Sequence, residues 1–527
     1  MKGPDPTCYD ADVIVLGGAF AGASAALLIK RRHPHYRVVI LERGVRFTRK
    51  VGESTTEISS CFMVRQLGIG AHLANEQLPK QGLRFWFDRT GEESFDQCGE
   101  IGPQSQVRLP AYQLDRAKSD AHLLELAAAE GCEVRRPAKL THFDPDQNGV
   151  RIEFEESGEQ RQMRARWLID ASGRAAVAAR KLGHYQSLAA QHPTHSIWAR
   201  FRGMRDIESA ASRAAHPSAA NPCRTSRALG TNHLVGYGWW CWIIPLRGGD
   251  FSVGLVYDSR LFDASQLHGA NLGEKLKNHL LTHPVGREWF QEAEPLPNDA
   301  KAFSNLPYQV KTIGVPGVIM VGDAAGFMDP LYSSGLDFAA FTISHAVEIV
   351  SNHSTPATAG ADLDRLNEGF AHAFDQWMAA IYLDKYYYLG DADLMSTAML
   401  LDVGAFFIGP VQLLYMDTPK GFLDFPYSGP IGGAFAALMK CYNRRLAHIA
   451  RKRKAAGCYG LHNLNRRELY PGFGPGTAAL PLFLRGLAKW AKAEYSALFL
   501  PNPSSTATSP EQASNASDLP ADVPAKT

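Results

Sequence analysis

The stretch that decides the fold is DVIVLGGAFAG, residues 12–22. Its opening DVIVL is a largely apolar, β-branched run, which is typical of a strand buried on both faces of a parallel sheet. A glycine-rich turn follows, then a helix-like segment, GASAALLIKRR, and a second buried-strand pattern, RVVILE, that ends at Glu42. This order of strand, turn, helix and strand predicts a Rossmann-like unit that binds a dinucleotide.

The turn itself indicates how such a ligand would be held. Backbone N–H groups at a helix N-terminus approach a pyrophosphate closely, and an acid at the end of the second strand accepts the ribose hydroxyls. The middle glycine of the usual fingerprint is Ala19 here, and its single methyl group leaves the turn feasible. The residues predicted to contact the cofactor in this unit are Gly17, Gly18, Ala19, Ala21, Gly22 and Glu42.

Outward from this unit, the patterns predict an interrupted fold. Residues 114–131 are helix-like and end in glycine, and the runs SIWARFRG, GWWCWIIPL and DFSVGLVY predict antiparallel strands with Gly248-Gly249 as a hairpin turn. VPGVIMVGDAAG, residues 315–326, returns to a buried strand and opens a helix. We therefore predict an α/β fold in which a discontinuous Rossmann-like domain carries an inserted antiparallel β-sheet domain, followed by a mainly helical C-terminal region.

The 527 residues are too many for one simple core. The predicted division is as follows: the nucleotide-binding domain takes 10–185 and 300–350, the β-rich substrate domain 80–112 and 190–300, the helical region 351–500, and a disordered tail 501–527.

Charge and cysteine usage exclude several function classes. The chain has 55 basic and 53 acidic residues, so no nucleic-acid partner is predicted. The eight cysteines form no CxxC pair and no metal-ligand cluster, which predicts reduced thiols and no metal site. The N-terminus lacks an apolar signal core, so a cytoplasmic location is expected. Residues 398–416 are mostly apolar but contain Asp402, Gly404 and Pro410, which favours a buried or substrate-lining segment over a transmembrane helix.

Later motifs indicate that the dinucleotide is FAD. VGDAAG, residues 321–326, resembles the second flavin motif of the large FAD-dependent hydroxylase superfamily, in which the aspartate (here Asp323) holds the ribityl chain. The segment around Arg116 resembles the arginine-bearing helix of that superfamily, and DASGR, residues 170–174, resembles one of its strand-end motifs. The resemblance adds Arg116, Gly322 and Asp323 to the predicted cofactor site.

Within that superfamily, three segments resemble the flavin-dependent halogenases. WCWIIP, residues 240–245, matches their WxWxIP signature; VGEST, residues 51–55, resembles a flavin-lining segment that includes Ser54; and DPLYSSG, residues 329–335, resembles their halide-binding loop. The loop would bind halide through backbone N–H groups around Ser334 and Gly335. The resemblance covers residues 10–350 and fades in the C-terminal third.

The resemblance implies a reaction and its partners. FADH2 from a separate flavin reductase, O2 and chloride or bromide would give hypohalous acid. Trp240 and Trp242 would keep the substrate away from the flavin and the pocket dry. Lys80 would be the catalytic residue that carries the halogen, as a hydrogen-bond donor or as a transient haloamine, and burial would lower its pKa.

The halide loop also indicates the substrate class. Tryptophan halogenases carry a glutamate that helps to remove the ring proton, and this chain has Tyr332 at that position. The ring must then be activated by its own substituent, which favours a phenol-like substrate, with pyrrole next. Two alternatives remain: an aromatic hydroxylase or isoprenoid-chain reductase on the same scaffold, and a catalytically silent flavoprotein that binds a carrier protein.

The C-terminal third offers weaker signals. The aromatic segment 382–388 is interpreted as helical core in preference to a pocket lining. A basic cluster is interpreted as a solvated helix face, with an acidic carrier protein or a membrane as the alternative contact. The cluster consists of Arg444, Arg445, Arg451, Lys452, Arg453 and Lys454. The sequence leaves open whether the aromatic substrate is free or carrier-bound and whether the protein is a homodimer.

Overall fold

A computed structural model describes residues 9–219, 224–416 and 421–500. The predicted disordered tail, residues 501–527, lies outside the described residues, as do Cys8 and Cys223.

The glycine-rich turn follows the carboxyl end of a central strand in an eight-stranded sheet. Strand Ala11–Leu16 pairs in parallel with Val38–Leu41 on one side and with Glu159–Asp170 on the other. Residues 13–15 are fully buried because helices or strands cover both sides of them, as the continuous apolar run predicts. The main path across the sheet is Gly314–Val315, Val318–Met320, Glu159–Asp170, Ala11–Leu16, Val38–Leu41 and Glu133–Arg135, with Ala138–Asp146 and Gly149–Glu156 as antiparallel additions.

A nine-stranded, mostly antiparallel sheet forms the second layer. Its hairpin turn is Gly248-Gly249, where φ angles of +102° and +89° favour glycine. Trp240 and Trp242 face the main core, and Cys241 faces a second apolar cluster, as expected for alternation along a strand. Its strands are Glu294–Pro295, Thr194–Arg202, Phe251–Asp258, Trp239–Pro245, Thr231–Gly236, Leu83–Phe87, Gly99–Pro103 and Arg467–Tyr470, with Lys301–Phe303 added beside Thr194–Arg202.

Short strands and helices complete the described structure. The remaining strands are Tyr185–Ser187, Tyr308–Val310, Gly326–Phe327, Leu78–Pro79 and Tyr112–Gln113. The α-helices are Phe20–Arg32, Glu57–Cys61, Gly70–Glu76, Arg116–Ala129, Val177–Lys181, Ala210–Ala215, Leu272–Thr282, Pro284–Phe290, Gly335–Asn352, Gly360–Trp377, Ala392–Phe406, Gln412–Tyr415, Gly429–Ala455 and Leu480–Ala497. The mixed α/β architecture agrees with the predicted fold class.

The C-terminal region is mainly helical and is joined to the second sheet. Its strand Arg467–Tyr470 pairs in parallel with Gly99–Pro103. The segment Ala392–Tyr415 is long and apolar enough to cross a membrane by length and composition alone, but 78% of its apolar window is buried within the protein. A buried core helix passes the same test, so this agrees with the prediction of a buried segment.

The interpretation of the basic cluster as a solvated face is wrong for Lys452 and Arg453, whereas Arg445 is exposed. Arg453 donates to Asp391 at 2.7 Å, and Lys452 is buried and donates to the carbonyl of Ala497 at 3.0 Å. Arg445 pairs with Glu494 on the neighbouring helix at 2.6 Å. Because neighbouring helices pack against this face, these cations fasten the C-terminal helices together.

Strand Arg467–Tyr470, from the region predicted to be helical, joins the nine-stranded sheet. The domain boundaries themselves stay a prediction.

Candidate active site

The glycine turn is built for a close approach of backbone to backbone. A Cβ atom on Gly22 would lie 1.8 Å from the carbonyl oxygen of Gly17, and one on Gly17, at φ +98°, would lie 2.6 Å from that of Ala171. Only glycine fits both positions. Ala19 is the N-cap of helix Phe20–Arg32, so its methyl group is accommodated where the turn enters the helix.

Glu42 closes this turn from the second strand. Its carboxylate accepts hydrogen bonds from the amides of Gly18 and Gly44, both at 2.8 Å. The side chain therefore lies at the predicted position beside the turn, and it also fixes the turn's shape.

Basic side chains gather on the other side of the turn. Arg116 donates to Asp120 and to the carbonyls of Val51 and Gly52, and Lys50 pairs with Asp120 at 2.5 Å. Asp120 also accepts from the amide of Phe20 at the start of the first helix, at 3.2 Å. A glycine turn, a helix N-terminus and these cations together fit the pyrophosphate of a dinucleotide.

The flavin motif at residues 321–326 packs against the glycine-rich turn at residues 17–22. A Cβ atom on Gly322, at φ +59°, would come within 3.1 Å of the Cβ of Ala21, so two segments 300 residues apart are packed closely. Burial raises the pKa of Asp323, while Arg174, Arg116 and Lys50 counteract it. The two motifs and the basic side chains beside them would hold FAD.

An apolar cavity opens beside this region. Its wall carries large apolar side chains from three parts of the chain, namely Leu83, Trp377, Met399, Phe406, Phe407 and Phe473. The polar side chains that reach it include Lys80, Tyr332, Ser334, Asp337 and Asp402. An aromatic ring fits such a lining, with polar groups available to orient it.

Lys80 is buried in the cavity wall, with 4% of its surface exposed. Its ammonium donates to the carbonyl of Thr55 at 2.7 Å, and within the described part of the chain it forms no ion pair. Burial lowers the pKa of Lys80 to about 8, and the carboxylates of Glu57 and Asp337 limit the shift. The lysine can therefore change protonation state near neutral pH.

Asp337 lies near Lys80 in the first turn of helix Gly335–Asn352. It accepts from the hydroxyl of Thr56 at 2.6 Å and from the amide of Ser59 at 3.1 Å. Burial raises its pKa to about 7, although these hydrogen bonds oppose the shift. The cavity thus holds an acid and a base that both titrate close to neutrality.

The predicted halide loop borders the same cavity. The hydroxyl of Ser334 is 2.7 Å from that of Tyr382, which in turn donates to the carbonyl of Leu331 at 3.0 Å. Gly335 is exposed at the start of its helix, and a Cβ atom there would meet nothing within 4 Å. Tyr382 thus holds the loop through Ser334 and Leu331, while Gly335 faces open space.

Of the two predicted tryptophans, Trp240 is linked to this loop, and Trp242 lies beside Trp240, with the ring centroids 5.9 Å apart. Trp240 donates to the hydroxyl of Tyr386 at 2.9 Å, and Tyr386 donates to Asp329 of the loop at 2.8 Å. Trp242 donates to Ser252 at 3.2 Å. Neither tryptophan lines the cavity, so Trp240 supports the loop through Tyr386, and the predicted separation of flavin from substrate stays a prediction.

Ser54 also lies outside the cavity lining. Its hydroxyl is 2.9 Å from that of Thr231 in the second sheet. Its predicted contact with the flavin stays a prediction.

Comparison with known proteins identifies the family. The profile of the family described as tryptophan halogenase matches residues 100–388, more than half of the chain. The chain belongs to this family. It is therefore an FAD-dependent halogenase of the oxidoreductase class, and the predictions of FAD, halide and O2 as its cofactors are confirmed at the level of the family.

Individual relatives have low sequence identity to this chain. The flavin-dependent halogenase chlA of Dictyostelium discoideum is 26% identical over 440 residues, which is 75% of this chain and 69% of that protein. Tetracycline 7-halogenase of Kitasatospora aureofaciens is 24% identical over 62% of this chain and 60% of its own length. The crystal structure of halogenase PltM in complex with phloroglucinol and FAD has a TM-score of 0.69 at 17% identity, covering 92% of this chain and 98% of that one. The last likeness shows the shared fold.

Sequence reasoning missed several side chains of this halogenase's cavity. Asp402 was noted only as a charge that interrupts an apolar run, yet it lines the cavity. A lone aspartate in such a run was the available signal, because a buried charge needs partners. The segment 382–388 is core, as preferred, but Tyr382 and Tyr386 also hold the halide loop.

Proposed function

We propose that this chain uses FADH2 from a flavin reductase, O2 and chloride or bromide to halogenate a phenol-like ring, with Lys80 as the carrier of the halogen. The observation that carries this proposal is the burial of Lys80, without an ion pair among the described residues, in an apolar cavity that also reaches the halide loop. FAD would supply, in its reduced form and with O2, the oxidising equivalent that converts halide into hypohalous acid.

The chain's own groups would then deliver the halogen. An uncharged amine is a nucleophile and an ammonium is not, so a pKa of about 8 gives Lys80 a reactive fraction near neutral pH. Its amine would take the halogen from hypohalous acid, releasing water and forming a haloamine. The apolar wall would keep water from this species and hold an aromatic ring beside it.

The halide would lie at the loop ending in Ser334 and Gly335. Backbone N–H groups at the exposed start of helix Gly335–Asn352 would bind it, since anions are stabilised at helix N-termini. Tyr332 in the same loop supports a phenolic substrate, because no carboxylate occurs at that position to help remove a ring proton.

The deciding experiment combines the purified protein, a flavin reductase, FAD, NADH and bromide with simple phenols, and products are read by mass spectrometry. We expect bromide-dependent mass gain that is lost in Lys80→Ala while FAD binding persists. Lys118→Ala, at an exposed lysine on helix Arg116–Ala129, is the matched control and should retain full activity.

Other outcomes would contradict this assignment. Hydroxylated products formed without halide would show an aromatic hydroxylase instead. Faster turnover of free tryptophan than of any phenol would refute the substrate argument built on Tyr332. Full halogenation by Lys80→Ala would remove Lys80 from the mechanism.

A further inference from the structure

A buried carboxylate stands behind Tyr332 at the cavity wall. Asp402, on helix Ala392–Phe406, is 3% exposed and lines the same cavity as Lys80. The hydroxyl of Tyr332 donates to its Oδ2 atom at 3.1 Å. An acid is therefore present beside this position of the halide loop, supplied by a helix 70 residues later.

The surroundings of Asp402 hold it in place and compensate its charge. Lys385, which is fully buried, forms an ion pair with it. Tyr442 donates to its Oδ1 atom at 2.6 Å, and the side-chain amide of Asn443 lies 3.4 Å from the same atom. These donors compensate the charge of the buried carboxylate, and its Oδ2 atom accepts the hydrogen bond from Tyr332.

The backbone of the loop is strained at Tyr332 and Ser333. The φ angle of Tyr332 is +67° and that of Ser333 is +64°, in the left-handed region that bulky side chains disfavour. Such strain is concentrated at functional sites, where the surrounding structure fixes it. Here Tyr332 and Asp402 both line the cavity, and Lys385 lies 5.4 Å from the centre of the Tyr332 ring.

Tyr332 can therefore contact two partners at once. Burial and the neighbouring Asp402 raise the pKa of its hydroxyl well above the usual value, so the group stays protonated and keeps donating to Asp402. A phenolic oxygen that donates one hydrogen bond can still accept another. The cavity is the side from which an acceptor bond would come.

We propose that Tyr332 and Asp402 form a proton-accepting relay for the hydroxyl of a phenolic substrate, with Lys385 as the positioning residue that fixes Asp402. This inference rests on the proposed function, since it assigns a role in the same reaction. Tyr332 would touch the substrate, and Asp402 would receive the proton through it.

As a ring carbon bonds the halogen, the bond between halogen and the Lys80 nitrogen breaks, and the nitrogen keeps the electron pair and takes up a proton from solvent, so that it leaves as the neutral amine. The substrate's O–H proton passes to Tyr332 as the proton of Tyr332 passes to Asp402, leaving a neutral dienone. The ring then loses its proton to the amine, which becomes the ammonium, and the relay returns its proton to the substrate oxygen. The ring is oxidised by two electrons and the halogen is reduced.

The relay predicts that the enzyme favours a free hydroxyl over its methyl ether. We would measure kcat/KM for bromination of resorcinol and of 1,3-dimethoxybenzene by the full chain with FAD, reductase and bromide. In Tyr332→Phe, resorcinol turnover should fall about 100-fold or more, the contribution typical of a general base, while ether turnover stays within about twofold. Asp402→Asn should lower the ratio of kcat/KM for resorcinol to kcat/KM for the ether, and Lys118→Ala, at an exposed lysine on helix Arg116–Ala129, should preserve it.

Measurements over a series of pH values distinguish loss of the relay from poor folding of a variant. Without the relay, only phenolate reacts quickly, so resorcinol turnover by Tyr332→Phe should climb toward the pKa of a free phenol, about 10. The ratio to the ether cancels any titration of Lys80. An equal fall for both substrates, or a ratio unchanged from the wild type, would overturn the relay. Failure of the wild type to brominate either ring would refute the proposed function itself.

Discussion

Two buried lysines near the cavity differ in their partners. Lys385 lies outside the cavity lining and forms an ion pair with Asp402, whereas Lys80 lies in the cavity wall, donates to the carbonyl of Thr55 and forms no ion pair within the described part of the chain. Burial lowers the pKa of both ammonium groups; Asp402 opposes this shift at Lys385 through a direct ion pair, and Glu57 and Asp337 oppose it at Lys80. The comparison shows that Lys385 is fastened to its carboxylate, whereas Lys80 depends on carboxylates with which it forms no direct pair.

The largest expected effect tests whether Lys80 must become uncharged. Lys80→Arg keeps a positive charge at every working pH, because the guanidinium does not deprotonate in proteins. We expect bromination to fall at least about 1,000-fold, as for loss of a nucleophile, with FAD binding unchanged. Product formation followed by mass spectrometry measures the loss. Retained activity would instead show that a hydrogen-bond donor suffices at this position.

The next effect tests the fixed pair through stability. Lys385→Met leaves the Asp402 carboxylate buried without its cation, which should lower the free energy of unfolding by about 3–5 kcal/mol. Thermal or urea unfolding measures it. The double variant Lys385→Met/Asp402→Asn should recover part of the loss, because no uncompensated charge remains. Additive losses would show that the two side chains do not interact.

The pH dependence of turnover tests the contrast between the two lysines by following the titration of Lys80. Its pKa is lowered from 10.5 to about 8, so the uncharged amine dominates above that pH. With 1,3-dimethoxybenzene, which has no titrating group, kcat/KM should rise about tenfold per pH unit below this value and level off above it. A decline as the pH rises through 8 would mean that the ammonium is the active form.

The smallest effect concerns Asp337 beside Lys80. Its pKa is raised from 3.8 to about 7, so the folded state binds the proton more tightly than the unfolded state. Its contribution to stability is thus present at low pH and is lost as the pH rises from about 4 to about 7. Asp337→Asn keeps the shape without the charge, so it should raise Tm by a few degrees at pH 8 and by less at pH 5. An equal shift at both pH values would contradict the raised pKa.

Much of the fold follows from local pattern. The apolar run before Gly17 predicted a buried parallel strand, and the run GWWCWIIPL predicted an antiparallel strand, which the structure has as Trp239–Pro245. Both patterns reflect which faces of a strand are covered, and strand geometry repeats every two residues. The motif order likewise identified the flavin-dependent family before any contact was known.

The arrangement of the cavity was decided by tertiary structure alone. Tyr332 stands where tryptophan halogenases carry a glutamate, so the sequence predicted no acid at that position. The fold brings Asp402, 70 residues later in the chain, into hydrogen-bond contact with Tyr332. The hydrogen bond from Trp240 to Tyr386, which links that ring to the halide loop, joins residues 146 positions apart. Hydrogen bonds depend on distances and angles fixed only when helices and sheets pack, and no local pattern encodes them. The sequence by itself determined the family, the cofactor and the buried strands, whereas packing alone decided that Lys385 pairs with Asp402 and that Lys80 is buried against the carbonyl of Thr55.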